Sequence, residues 1–179
     1  PIVRYSTIEN EIQSRKSSLD DVCYGIERFI LGFAKKIIIA NQMGMLADIV
    51  FDEGTAYTPV AWLGAIAYMF QIYFDFSAYS DMAIGLGRIF GFHFLENFNF
   101  PYVSKSIKEF WSRWHISLST WFRDYVYIPL GGNRKGPMRH FINMGIVWAL
   151  TGFWHGAEWT FLIWGLYYFV FLAIEKFII

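Results

Sequence analysis

The sequence predicts an all-α fold: a polytopic transmembrane helix bundle with interfacial amphipathic and broken helices. Three observations carry this. First, 55% of the 179 residues are hydrophobic, 21% are aromatic and only 17% are charged, which is too apolar for an ordinary soluble domain. Second, the run Val60 to Tyr79 carries one charge, Asp75, and as a helix reaches about 30 Å, the depth of a bilayer core. Third, Phe141 to Trp154 and Trp159 to Ile174 form an apolar region that would be about 50 Å long as one helix and would overshoot the bilayer. That region must break, and His155-Gly156 is the place.

The elements follow in chain order. Pro1 to Asp21 is polar and mixed in charge, unlike a signal peptide. Pro1 in place of an initiator Met, and the apolar end Phe177-Ile178-Ile179, read as an internal piece of a longer protein. Gly25 to Phe51 is apolar but holds Glu27, Arg28, Lys35 and Lys36, which predicts an interfacial or bundle-facing helix rather than a lipid-exposed one. Val60 to Tyr79 is the cleanest spanning candidate. Within it Gln71 and Asp75 stand at i, i+4 with Tyr68 and Tyr79 on the same face, a polar stripe that is either structural glue or the lining of a substrate path.

Ser104 to His140 has seven cations (Lys105, Lys108, Arg113, Arg123, Arg134, Lys135, Arg139) against Glu109 and Asp124, so it is expected on the cytoplasmic side. At 100° per residue, Trp111, Trp114, His115, Leu118, Trp121, Phe122 and Tyr125 share one stripe, which predicts a single interfacial helix ending before Pro129. The loop Gly131 to Gly136 places Arg134 and Lys135 among glycines, where backbone N–H groups and cations could receive a phosphate or simply set topology. No repeat or linker divides the chain, so residues 1–179 read as one membrane domain.

Composition and motifs exclude several functions. Fifteen basic residues balance fifteen acidic ones, leaving no net charge for nucleic acid. Cys23 is the only cysteine, which removes a disulfide scaffold and a cysteine-rich metal site. Gly85, Gly87 and Gly91 are out of register with a dinucleotide fingerprint, and serine-hydrolase, zincin and Walker motifs are absent. His155 and Glu158 are too few to make a metal site, so none is expected.

His155 is the sharpest signal: a titratable imidazole at a helix break, about 20 Å from the basic loop. It suits a buried general base, with Thr151 at i−4 and Glu158 at i+3 as orienting groups, and equally a structural histidine bonded to a carbonyl freed by the break. His115, in the apolar stripe, is either a packed residue or a second reactive group. His93 and His140 read as structural.

Three strings then resemble a known family: Phe74-Asp75-Phe76-Ser77-Ala78-Tyr79-Ser80-Asp81, Phe110-Trp111-Ser112-Arg113-Trp114-His115-Ile116-Ser117, and Trp154-His155-Gly156. With Tyr127-Ile128-Pro129-Leu130-Gly131-Gly132-Asn133-Arg134 and the opening Pro1-Ile2-Val3-Arg4-Tyr5, they are similar to the membrane-bound O-acyltransferase family, in its bacterial branch that contains the alginate O-acetyltransferases. Ser112 departs from the basic residue relatives often carry there. The resemblance implies a multi-pass enzyme of the bacterial inner membrane that transfers an acyl group to a hydroxyl, with catalytic His155 in its Trp154 context and His115 as the second histidine. It also implies a bilayer-embedded site, an exported polysaccharide acceptor, alginate-like or peptidoglycan, and extracytoplasmic accessory acetylation proteins as partners. Acetyl-CoA or another acyl carrier would be co-substrate, with no bound cofactor. The alternatives are D-alanyl transfer toward teichoic acid and a non-catalytic channel or scaffold subunit. Cys23 has no motif of a covalent carrier, so direct attack by the acceptor is the expected route.

Overall fold

The computed structural model describes residues 2–52, 54 and 57–177, so Pro1 of the opening string and Ile178-Ile179 at the apolar end lie outside the described residues. The described secondary structure is helical. Helices α1 (Tyr5–Ser14), α2 (Leu19–Ala34), α3 (Asn41–Asp52) and α4 (Thr58–Ile89) are followed by α5 (Ile107–Arg113), α6 (Ile116–Phe122), α7 (Pro137–His155) and α8 (Trp159–Phe177). Two wider π turns, Lys35–Ala40 and Arg123–Tyr127, continue α2 into α3 and extend α6. The chain forms two compact units, Val3–Asn97 and Phe98–Ile179, with Ile2 belonging to the second.

In the first unit α2 begins with a capping box. Ser18 Oγ accepts from the Asp21 amide at 3.1 Å, and the Asp21 carboxylate accepts from the Ser18 amide at 3.2 Å, so two otherwise orphaned N–H groups are satisfied. From there the chain stays helical to Asp52 and packs antiparallel along α4. The register is carried by small residues: a Cβ on Gly25 would lie 2.6 Å from the Gly85 carbonyl oxygen, and one on Gly32 would lie 2.8 Å from that of Ala78. Such close backbone approach is the usual basis of helix association where lipid removes the hydrophobic drive between helices.

Three cations inside this hairpin, Arg28, Lys35 and Lys36, are paired. Lys35 Nζ reaches Asp81 at 2.6 Å, and Lys36 reaches Asp75 at the same distance. The Arg28 guanidinium bonds Asp81 Oδ1 at 2.7 and 3.0 Å and grips both oxygens of Glu96 at 2.7 and 2.6 Å. Arg28 thereby ties the segment after α4 to α2, a bidentate role that lysine could not fill.

Two helices of the described residues are long and apolar enough to cross a membrane, Leu19–Asp52 and Trp159–Phe177. Gly25 to Phe51 lies within a spanning candidate, and its cations Arg28, Lys35 and Lys36 meet α4 carboxylates, the bundle-facing alternative of the expectation. One expectation is corrected. Val60 to Tyr79 lies within α4 but is not one of the two, since tyrosines, tryptophan, Gln71 and Asp75 dilute its aliphatic content. A bundle with more crossings than two is therefore an expectation beyond what these helices establish.

In the second unit the expected break is present: α7 ends at His155, and α8 starts at Trp159. The two helices meet at glycines. A Cβ on Gly152 would lie 2.5 Å from the Phe161 carbonyl oxygen, and one on Gly165 would collide with that of Trp148. The single interfacial helix expected through Trp111 and Tyr125 is not observed. It is cut at Trp114-His115 into α5 and α6, each of seven residues. The carbonyl of Arg113 is taken by the Asn99 amide at 2.9 Å, so the chain turns there although the apolar spacing continues.

Candidate active site

The turn between α5 and α6 makes the first part of the site. Ser106 caps α5 by accepting from the Glu109 amide at 3.0 Å, and Glu109 pairs with Arg113 one turn later at 2.9 Å. Trp114 is extended and stacks on Phe110, with centroids 5.6 Å apart. His115 then takes left-handed backbone angles, φ 48° and ψ 54°, which cost a non-glycine residue about 1 to 2 kcal/mol. Its side chain is buried, at 6% exposure, with Nδ1 3.3 Å from Ser117 Oγ. Burial first, and the charge His155 carries when protonated second, push the His115 imidazole down to about 4. His115 is therefore neutral near pH 7, with one ring nitrogen a donor and the other an acceptor.

The end of α7 makes the second part. His155 Nδ1 lies 2.8 Å from the Thr151 carbonyl oxygen. A carbonyl only accepts, so Nδ1 carries the proton and neutral His155 is left with an unprotonated Nε2. Nε2 has no hydrogen-bond partner among the described residues. The two readings of His155 are thus compatible: one ring nitrogen serves the helix end, and the other is available as a base. The ring is wedged between Trp154 and Trp164, with centroids 4.9 and 4.8 Å away. Trp154 also meets His115 edge to face at 5.9 Å, so one indole touches both imidazoles. The expectation that His155 is buried is corrected: it is exposed, while His115 is buried. The reason is its place at the last residue of α7, where the break removes the following turn of helix.

A cavity of about 670 Å³ opens beside α7 and is lined by Lys108, Arg123, Tyr127, His140, Glu175 and Lys176 among others. A narrower chamber of about 220 Å³ shares Lys108, Ser119, Val147, Trp148 and Leu172 with it and reaches Thr151. Along α7 the lining positions are His140, Met144, Val147, Trp148 and Thr151, one helical face, and His155 is the next member of that series. From His140 to His155 this face is about 22 Å long.

The mouth is polar and organised. The Tyr127 hydroxyl and His140 Nδ1 share a hydrogen bond of 2.5 Å. The Glu175 carboxylate accepts from the Ile107 amide at 2.8 Å and the Lys108 amide at 3.3 Å, which closes the N-terminus of α5 against α8. Glu175→Ala is expected to lower the unfolding free energy of the detergent-solubilised protein by about 1 to 2 kcal/mol, as for loss of a helix cap. A thermal melt unchanged from wild type would remove this carboxylate from the account.

The remaining predicted residues are placed as follows. Asp75 faces Lys36, Gln71 packs on Gly44, and Tyr79 is exposed, all in the first unit. Glu158 is exposed and makes no bond to His155 among the described residues; its backbone carbonyl accepts from Phe161 and starts α8. Orientation of His155 comes from the Thr151 backbone instead. Arg134 and Lys135 are exposed on the loop whose neighbour Asn133 lines the cavity, and Asn143 fastens that loop by donating to the Leu130 and Gly132 carbonyls. Reading the sequence missed Lys108, Tyr127, Lys176 and the cavity role of His140. The spacing 140, 144, 147, 151, 155 was the available signal.

The model of the membrane-bound O-acyltransferase family matches residues 1–179. The chain is 52% identical over 176 residues to a probable alginate O-acetylase of Azotobacter vinelandii, covering 98% of this chain and 35% of that protein. It is 41% identical over 180 residues to a peptidoglycan O-acetyltransferase of Helicobacter pylori, covering 98% and 34%. It is 35% identical over 191 residues to a teichoic acid D-alanyltransferase of Bacillus subtilis, covering 99% and 48%. The chain thus spans between a third and a half of the length of these relatives.

Proposed function

The chain belongs to the membrane-bound O-acyltransferase family, and from that premise we propose that it carries the catalytic histidines of a bacterial inner-membrane enzyme that acetylates hydroxyls of an exported polysaccharide. The activity is proposed for the whole protein, and residues 1–179 for one membrane domain of it. The observation that carries the proposal is the single α7 face on which His140, Met144, Val147, Trp148 and Thr151 line the cavities and His155, with its unpartnered Nε2, comes next.

An acetyl thioester, of CoA or of another acyl carrier, enters at Lys108, Arg123 and Lys176, whose charges suit a phosphate on the donor arm; Arg134 and Lys135 add to the same field. The acceptor hydroxyl meets His155 at its exposed side. As its oxygen attacks the thioester carbonyl, Nε2 takes the hydroxyl proton, so the new C–O bond forms on an oxygen that has lost its hydrogen. The neutral His115 ring donates its N–H to the carbonyl oxygen while that oxygen carries negative charge. The C–S bond then breaks, and the thiolate leaves with the proton held by His155. Thioester plus alcohol gives ester plus thiol, with no acyl-enzyme. The segment Ser104 to His140 faces the cytoplasm, where the donor is made, and extracytoplasmic acetylation proteins receive the product side.

The test is transfer of radiolabelled acetyl, or of D-alanine, from a thioester to deacetylated polysaccharide by the purified intact protein. Alkali-labile acetyl label on the polymer is the expected result. Label from the D-alanyl donor alone would reassign the acyl group, and no label from either would contradict acyl transfer.

A further inference from the structure

We propose that Arg113 is a positioning residue for the transfer reaction, holding His115 in its left-handed turn by bonding to Glu109 and Asn99 at once. The inference rests on the acyl-transfer reading above, in which the His115 ring meets the reacting carbonyl. It starts from a conflict between local preference and observed structure. The apolar spacing from Trp111 to Tyr125 favours one continuous helix, yet the chain is extended at Trp114 and left-handed at His115. A non-glycine residue keeps such angles only where its surroundings over-determine them.

Those surroundings converge on one side chain. Arg113 Nε and Nη2 bond Glu109 Oε1 at 3.0 and 2.9 Å, while Nη1 donates to the Asn99 carbonyl at 3.2 Å. The Asn99 amide in return donates to the Arg113 carbonyl at 2.9 Å, so the pair is bonded in both directions. Glu109 is itself fixed, since Oε2 accepts from the Lys105 amide at 2.9 Å. Among the described residues the non-glycine positions with positive φ are Phe100, at 44°, and His115, at 48°. Phe100 directly follows Asn99, and His115 stands two positions after Arg113, so the reciprocal pair lies at the foot of both strained turns. Phe98, the residue before Asn99, packs edge to face on Trp114 at 5.0 Å. In a continuous helix the Arg113 carbonyl would accept from the Ser117 amide, and the Asn99 amide occupies that acceptor. Losing the guanidinium removes one of the two bonds that keep Asn99 there, and the helix favoured by local spacing competes for the carbonyl. The His115 ring then leaves its buried place. Lysine keeps a charge opposite Glu109 but has no planar fork to reach the Asn99 carbonyl as well.

The experiment measures acetyl transfer by the intact protein and, on the same detergent-solubilised protein labelled with ¹⁵N-histidine, the NMR titration of the His115 ring, assigned by its loss in His115→Gln. Arg113→Ala and Arg113→Lys are each expected to lower transfer by about 10- to 100-fold, the cost of a misplaced group, and the lysine variant is read even if the alanine variant fails to fold. In a His115→Gln background Arg113→Lys should cost less than about threefold, because the ring it positions is already gone. The wild-type ring should stay neutral down to about pH 4, and in the Arg113 variants it should titrate closer to the ordinary 6.5. Methylguanidinium added to Arg113→Ala should restore part of the transfer. Near wild-type transfer with an unchanged ring titration in Arg113→Lys overturns the inference and leaves acyl transfer standing. A full multiplicative loss in the His115→Gln background also overturns it, since general loosening would then be the cause. Absence of transfer by wild type overturns the acyl-transfer reading and the part of Arg113 in it, and an unchanged ring titration would then overturn the hold on His115 as well.

Discussion

Replacing His155 by Gln in the intact protein is expected to lower acetyl transfer by about two to four orders of magnitude, the usual cost of losing a general base. Glutamine is of similar size and polarity but has no basic nitrogen, so the loss reads the base. Membrane insertion and the α7–α8 crossing at Gly152 and Gly165 should be unaffected, because those glycines and not the ring set the helix approach. His155→Ala should lose a similar factor in rate and a little stability, since it removes the bond to Thr151 and the edge contacts with Trp154 and Trp164. Near wild-type transfer by a normally inserted His155→Gln protein would make this histidine structural.

His115→Gln should lower transfer by about two orders of magnitude and also change the acid response of the fold. The sign follows from the depressed imidazole. Folded His115 stays neutral down to about pH 4, whereas the unfolded chain takes up a proton near 6.5. Between those values the unfolded state binds more protons, so this group's contribution to stability is complete above about 6.5 and is lost as pH falls toward 4. Melts of wild type across that window should therefore fall more steeply toward acid than melts of His115→Gln. His115→Gly separates geometry from chemistry: it relieves the left-handed backbone at φ 48° and still removes the ring. If His115→Gly were as active as wild type, the left-handed turn alone would be what this position supplies.

Local signals predicted the parts of the fold that local rules govern. The break at His155-Gly156 followed from length alone, because no single helix of that apolar region fits a bilayer. The hairpin between α2 and α4 was hidden, because the carboxylates that neutralise Lys35 and Lys36 are distant in sequence and the cations by themselves resemble an interface. The stripe through Trp111 and Tyr125 misled because its 100° spacing is blind to one left-handed residue; the Asn99 amide that ends α5 is a long-range contact. Within the site, His115 is packed, as its place in the apolar stripe suggests, whereas His155 is exposed and not buried. Burial depends on which helix each residue terminates. His140 reads as structural from the sequence, because its hydroxyl partner Tyr127 lies on a π turn that spacing does not announce.

The central claim is that the thioester carbonyl of the donor comes to rest at residue 155 after passing along α7. It is tested most directly by placing a nucleophile there. In a Cys23→Ser background, which removes the exposed native thiol, His155→Cys is treated with the bromoacetyl thioester of pantetheine, whose bromide the thiolate displaces. The account predicts stoichiometric alkylation at position 155 that saturates with reagent, is prevented by the acetyl thioester, and is slowed by Val147→Trp, which narrows the chamber. Alkylation that does not saturate, proceeds no faster than with bromoacetamide, and is indifferent to both the acetyl thioester and Val147→Trp would contradict it.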